Sequence, residues 1–184
     1  MAFLTFGEIS KYAPTTEKIR LLKEASKHPQ DKDVFLSHSS ADVGYIPGVV
    51  GFLQQHGASV YVDNGDATLP EYTNSETGNI LRSRVKGCPR FVLLVSENSK
   101  GSRWIPWELG LADGFKGLYS VALLPIAQSS TESNWVQLEY LGLYPRIVKV
   151  YLQGDAEPSW CVRSPKSGRF WLLHVWLKVA AVDE

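Results

Sequence analysis

Apolar residues occur along this chain in short dense runs, separated by stretches whose apolar positions keep a helical spacing. DVFLS, from Asp33, is the first dense run, and the turn-rich SHSSAD follows it. Ile46, Val49, Val50 and Leu53 then recur at i, i+3, i+4 and i+7, one face of a helix that Gly57 stops after His56. ASVYVD predicts a second strand, Ile80, Leu81 and Val85 a short helix, and RFVLLVS a third strand. SRWIPWELG predicts a third helix, SVALLPI a fourth strand and IVKVYL a fifth. Residues 64–79 read as a polar loop, unusually long for a connection in a compact domain and of the kind that serves as a functional lid. Near the end, SGRFWLLHVWLKVAAV sets Phe170, Leu173 and Leu177 at helical spacing and predicts a closing helix.

The strands are apolar throughout rather than alternating, and they alternate with helices. That is the mark of a parallel sheet covered on both faces. The predicted class is α/β, a flavodoxin-like three-layer sandwich with a central, mostly parallel five-stranded sheet and helices on both faces. Residues 1–30 read as a weakly amphipathic helical extension, with Ile19, Leu21 and Leu22 among charges and His28-Pro29 ending it; residues 31–184 read as the domain proper. Ligands of such sheets bind outside the carboxyl ends of the strands. SHSSAD, the long loop and the segment after RFVLLVS all begin there.

Composition narrows the partners. A chain of 184 residues with 44% apolar content can bury one full core. Net charge is zero with both signs interspersed, so no nucleic-acid partner is expected. No apolar run approaches a membrane span, and Glu8 and Lys11 interrupt the start before a signal region develops, so neither a membrane partner nor secretion is expected. Cys88 and Cys161 fit no metal or redox spacing and read as reduced thiols of a cytoplasmic protein.

The usual machineries leave little trace. The glycines are scattered, with no phosphate-cradling loop. His28, His38, His56 and His174 stand apart from one another and from paired carboxylates, so no metal is expected. No nucleophile elbow is present. What remains is Glu108, framed by Trp104 and Trp107 near a hydroxyl-rich turn, a set that suits a flat aromatic ligand and a sugar. Pro106 belongs in a first helical turn, and Ile105 before it resists helical angles, so the helix starts between residues 102 and 106. Glu108 then lies where the helix dipole favours an ionised carboxylate, and Trp104, four residues earlier, can share its face. Two readings stay open. Glu108 is an ordinary capping acid with Trp104, Trp107 and Leu111 as core, which the residues alone favour, or it is the charged group in a pocket wall. His38 likewise reads as a loop residue between Ser37 and Ser39, and Phe35 as a buried strand residue.

Taken in order, these motifs resemble one family. DVFLSHSSAD, a helix and GASVYVD resemble the first box and second strand of a Toll/interleukin-1 receptor (TIR) domain. RFVLLVSENSKGSRWIPWELG is similar to its third strand and helix, in which a Trp-x-x-x-Glu spacing marks members that cleave NAD. VALLPI resembles the fourth strand, and Phe170-Trp171 the third box, so the likeness runs from about Asp33 to about Trp176. SHSSAD, WELG and EYLGLYP look more like stand-alone bacterial TIR proteins, of the Thoeris-like antiphage type, than like animal adaptors. The resemblance implies a TIR domain over residues 31–184, with Glu108 catalytic and Trp104, Phe35, Ser37, His38 and Ser39 binding the substrate. It implies an NAD nucleosidase or ADP-ribosyl cyclase that releases nicotinamide and leaves ADP-ribose or a cyclic product. NAD is then a substrate, with no cofactor, and the partners are further copies through TIR–TIR contacts and a separate effector protein that responds to the product. The alternative the resemblance leaves is a non-enzymatic TIR interaction module. No residue of the long loop is carried over from the family.

Overall fold

A computed structural model describes residues 1–14, 16–64, 66, 75–129 and 139–178. Along the chain come β1 (Leu4–Thr5), α1 (Phe6–Ile9), α2 (Lys18–Ala25), β2 (Val34–Ser37), α3 (Ile46–Gln55), β3 (Val60–Tyr61) and α4 (Ser75–Gly87). Then follow β4 (Arg90–Val95), α5 (Ile105–Lys116), β5 (Val121–Ala127), β6 (Arg146–Val150), β7 (Ser159–Arg163), β8 (Phe170–Leu172) and α6 (Leu173–Lys178). Among the described residues the sheet holds eight strands in the order β3-β2-β4-β5-β6-β7-β8, with β1 paired to β5. Pairings from β3 across to β6 are parallel, and β7 and β8 add an antiparallel ribbon at the far edge.

Strand side chains alternate between two apolar layers, because successive residues of a strand point to opposite faces. Val34, Leu36, Val92, Leu94, Ala122 and Leu124 pack with Val49, Phe52 and Leu53 of α3, and with Trp176 and Leu177 of α6. Phe35, Tyr61, Phe91, Leu93 and Leu123 pack with Leu81 and Val85 of α4, and with Ile105, Leu109 and Ala112 of α5. Helices thus cover both faces, the three-layer arrangement that the unbroken apolar strands predict. At the amino end of β4, the wholly buried Arg90 lays its guanidinium 4.7 Å over the Trp176 ring. The Trp176 indole N–H donates to the Tyr119 carbonyl at 2.8 Å, which fixes α6 to the same corner.

Three expectations are corrected. Among the described residues the sheet has eight strands, not five, because β1, β7 and β8 join those read from the sequence. The end of the chain is not one closing helix: Phe170–Leu172 pairs with β7, and only Leu173–Lys178 is helical within the described residues. Phe170 is 43% exposed, with the Arg163 guanidinium 5.8 Å over its ring, so its helical spacing to the buried Leu173 and Leu177 is incidental. The loop expected over residues 64–79 is shorter, since residues 75–79 form the first turns of α4. The rest of it, Asn64 and Asp66 apart, lies outside the described residues.

The N-terminal segment contributes side chains to the core. Leu4 pairs with Ile126 at the end of β5, while Ala2 bridges to Lys149 of β6, so the N-terminus lies across both strands. Leu4, Ile9, Ala13, Leu21 and Ala25 are buried. Two glycines of α3 allow this: a Cβ at Gly48 would meet the Ile9 carbonyl oxygen, and one at Gly51 the Tyr12 carbonyl oxygen.

Candidate active site

Ser37 ends β2 at the carboxyl rim of the sheet. It points to the same face as Phe35, two residues back, which is the face α5 covers. Phe35 itself is fully buried, stacked on Phe91 with ring centroids 5.5 Å apart and an interplanar angle of 6°, and tilted against Tyr61 at 5.4 Å. This slab is the floor beneath Ser37.

α5 delivers the carboxylate. Trp104 is its N-cap residue, and Pro106 stands in the first turn, where a missing N–H costs nothing. The Ser102 hydroxyl accepts from the Ile105 N–H at 3.3 Å, and the Glu108 N–H donates to the Trp104 carbonyl at 2.9 Å. Trp104 and Glu108 are therefore one closed turn apart, as their spacing predicts. Trp104 is half-buried and meets Trp107 edge to face at 5.3 Å. Glu108 is 4% exposed, and its Oε2 accepts a 2.6 Å hydrogen bond from the Ser37 hydroxyl.

The ionised resting carboxylate expected from the helix dipole is corrected here. Burial, and then the negative charge of Asp63, push the Glu108 carboxyl up to about 8, against the pull of the Ser37 hydroxyl toward the ionised form. A dipole effect of order 1 kcal/mol does not offset the removal of a carboxylate from water. At neutral pH the resting residue is mainly the neutral acid, and a cation placed beside it shifts the balance toward carboxylate.

His38, next after Ser37, is 5% exposed in its side chain, with Nδ1 at 3.9 Å from Asp63 Oδ1. That nitrogen is buried and makes no hydrogen bond among the described residues. Asp63 follows β3 and is itself raised, chiefly by burial, with the His38 charge working the other way. Ser39 is spent locally: its hydroxyl accepts from the Ala41 N–H at 3.4 Å and caps the 3-10 turn that opens there.

The structure thus brings Glu108, Ser37 and His38 to one end of β2, sets Trp104 a turn from Glu108, places Phe35 beneath Ser37, and turns Ser39 to the loop's own backbone. Two acids of this rim were given no role of their own by the sequence, which marks them only as the end of the loop after β2 and the start of the long loop. Asp63 was only the last letter of ASVYVD. Asp42, wholly buried, accepts from the Ser96 hydroxyl at 2.6 Å and the Asn98 amide at 2.7 Å, binding the loop after β2 to the end of β4. Only its place in SHSSAD, a loop at the carboxyl rim, could have marked it. Among the described residues no group of three His, Cys, Asp or Glu side chains is gathered to hold a metal ion.

Comparison with known proteins finds a relative at the level of sequence. The chain is 41% identical over 137 residues, 73% of its own length and 70% of the relative's, to a protein of Bacillus cereus described as probable 3' cyclic ADP-D-ribose synthase ThsB'. No family model matches the chain.

Proposed function

The chain belongs to the family of that probable cyclic ADP-ribose synthase, and from this membership we propose that it cleaves the nicotinamide–ribose bond of NAD. The products are nicotinamide and a cyclic ADP-ribose-type signal or ADP-ribose, made in bacterial antiphage defence. The observation that carries the reading is Glu108: a buried carboxyl in the first turn of α5, bonded to Ser37 at the carboxyl rim, with an indole one turn away.

Such a group suits this reaction. The nicotinamide ring of NAD carries a positive charge, so its approach favours the ionised form of a carboxyl otherwise pushed up by burial. As the C–N bond breaks, the ring leaves as neutral nicotinamide and positive charge develops on the ribose. A fixed carboxylate opposes that charge without reorganising, as carboxylates do in glycoside cleavage. Ser37 holds Glu108 in place, and Trp104 offers a flat face to the nicotinamide end. Phe35 supports Ser37 from below, while His38 and Ser39 lie along the dinucleotide. NAD is consumed as substrate, and the step uses no metal or resident cofactor. The domain is read as a TIR domain whose copies assemble, in the cytoplasm, and whose product acts on a separate effector protein.

Incubation of the purified chain with NAD, with products separated by chromatography, tests this. Nicotinamide release that disappears in Glu108→Gln supports it. Equal turnover in that variant removes Glu108 from the chemistry. No turnover even in concentrated, assembled protein favours a non-enzymatic interaction module.

A further inference from the structure

Glu108 accounts for departure of nicotinamide but not for capture of the ribosyl centre. Capture by a hydroxyl, whether of water or of the substrate's own ribose, leaves a proton that must go somewhere. Resting on the NAD-cleavage reading above, we propose that His38 and Asp63 are the proton-accepting pair of this site: His38 Nε2 takes the proton of the attacking hydroxyl, and Asp63 orients the imidazole through Nδ1.

The geometry is that of a base waiting for its partner. His38 directly follows Ser37, the residue that holds Glu108, and its side chain is 5% exposed. Nδ1 is buried without a hydrogen bond among the described residues and faces the Asp63 carboxylate at 3.9 Å. A structural histidine ordinarily satisfies that nitrogen. His56 does so here, with Nδ1 at 2.8 Å from the Phe52 carbonyl. The gap at His38 is about 1 Å longer than a hydrogen bond, and catalytic hydrogen bonds are often long until substrate is bound. Asp63, a third exposed, belongs to the same site, since its charge is one of the causes that raise Glu108.

The step balances. The C–N bond breaks with its electron pair passing to the pyridinium nitrogen. The hydroxyl oxygen gives a pair to the anomeric carbon, its proton moves to Nε2, and the Asp63 carboxylate offsets the imidazolium until solvent removes the proton. A pyridine nitrogen attacking the same carbon carries no proton, so base exchange needs no such pair.

The test follows NAD with and without added 3-acetylpyridine, measuring hydrolysis, cyclisation and exchange for the intact chain, Asp63→Asn, His38→Gln and Glu108→Gln. The expected result is a fall of about a hundredfold in the hydroxyl products relative to exchange in both pair variants, at the low end of general-base effects. Exchange itself reports that each variant is folded and binds NAD, and should one variant fail to fold the other carries the test. Parallel loss of all products, or no change in partition, overturns the pair while leaving the Glu108 reading standing. Absence of every product in the intact chain overturns that reading, and the pair with it.

Discussion

The Ser37 hydroxyl donates to Glu108 Oε2 at 2.6 Å, joining residues 71 positions apart at the end of β2 and the start of α5. Of the forces acting on Glu108, this bond favours the carboxylate, while burial and Asp63 favour the acid. Ser37→Ala therefore leaves the carboxyl without its donor and moves its titration further upward. If the ionised form is the active one, kcat/KM for nicotinamide release climbs with pH through about 8 in the intact chain. In Ser37→Ala the same limb lies at higher pH. A pH–rate series on both proteins checks this, and superimposable limbs would show that the bond does not tune the acid.

The same residue makes stability depend on pH in a definite sense. A carboxyl raised in the folded state stabilises fully below its unfolded value and loses that contribution as pH rises through its folded value. Here the loss runs from the ordinary carboxyl value of 4.5 up through about 8. Glu108→Gln carries no such proton. Urea denaturation at pH 5 and pH 9 should find the difference between Gln variant and parent growing toward the variant by a few kcal/mol at alkaline pH. A difference that stays constant would mean that Glu108 is not raised in the folded chain.

Asp42 is the joint between the loop after β2 and the end of β4. Asp42→Ala removes an acceptor from both Ser96 and Asn98 while Ser96 stays buried. Hydrogen bonds to a charged group contribute about 1.5–3 kcal/mol each. A loss of roughly 3–6 kcal/mol in urea unfolding is expected, with Asp42→Asn losing less because it keeps an acceptor oxygen. The loop so released begins at His38, so kcat/KM for NAD should fall in the alanine variant.

What the sequence revealed of all this follows from distance along the chain. β2, β4 and β5 were legible because a parallel strand buried on both faces is written as one apolar run. Trp104 and Glu108 were legible because one helical turn keeps them four residues apart. β7 and β8 were not, since Trp160, Phe170 and Trp171 lie on half-covered antiparallel strands, and Phe170 happens to stand at helical spacing from Leu173 and Leu177. β1 was hidden by its length of two residues, too short for any pattern. The partners of the site are the least legible of all. Asp42 and Ser96 are 54 positions apart, and nothing local to either announces the other. Glu108 falls in the first turn of α5 as its spacing predicts, but its charge state was misjudged, because a helix dipole can be read from sequence and burial cannot.

The N-terminal segment gives the last prediction, because two glycines make it testable. Gly48 and Gly51 lie one turn apart on α3, where a Cβ would meet the carbonyl oxygens of Ile9 and Tyr12. Both are backbone atoms and cannot swing aside as a side-chain tip could. Gly51→Ala must lift residues 9–12 from α3, loosening Ile9 and Ala13, which are 1% and 2% exposed. Overpacking of this kind costs roughly 1–3 kcal/mol. Gly110, in the interior of α5, is exposed and has open space where its Cβ would stand, so Gly110→Ala removes only backbone freedom and should stabilise by about 0.5–1 kcal/mol. Urea unfolding of the two variants should therefore move in opposite directions from the parent. Limited proteolysis should cut earlier within the first fifteen residues of Gly51→Ala alone. If both alanines stabilise, the first residues are not seated against α3, and the core must be complete without them.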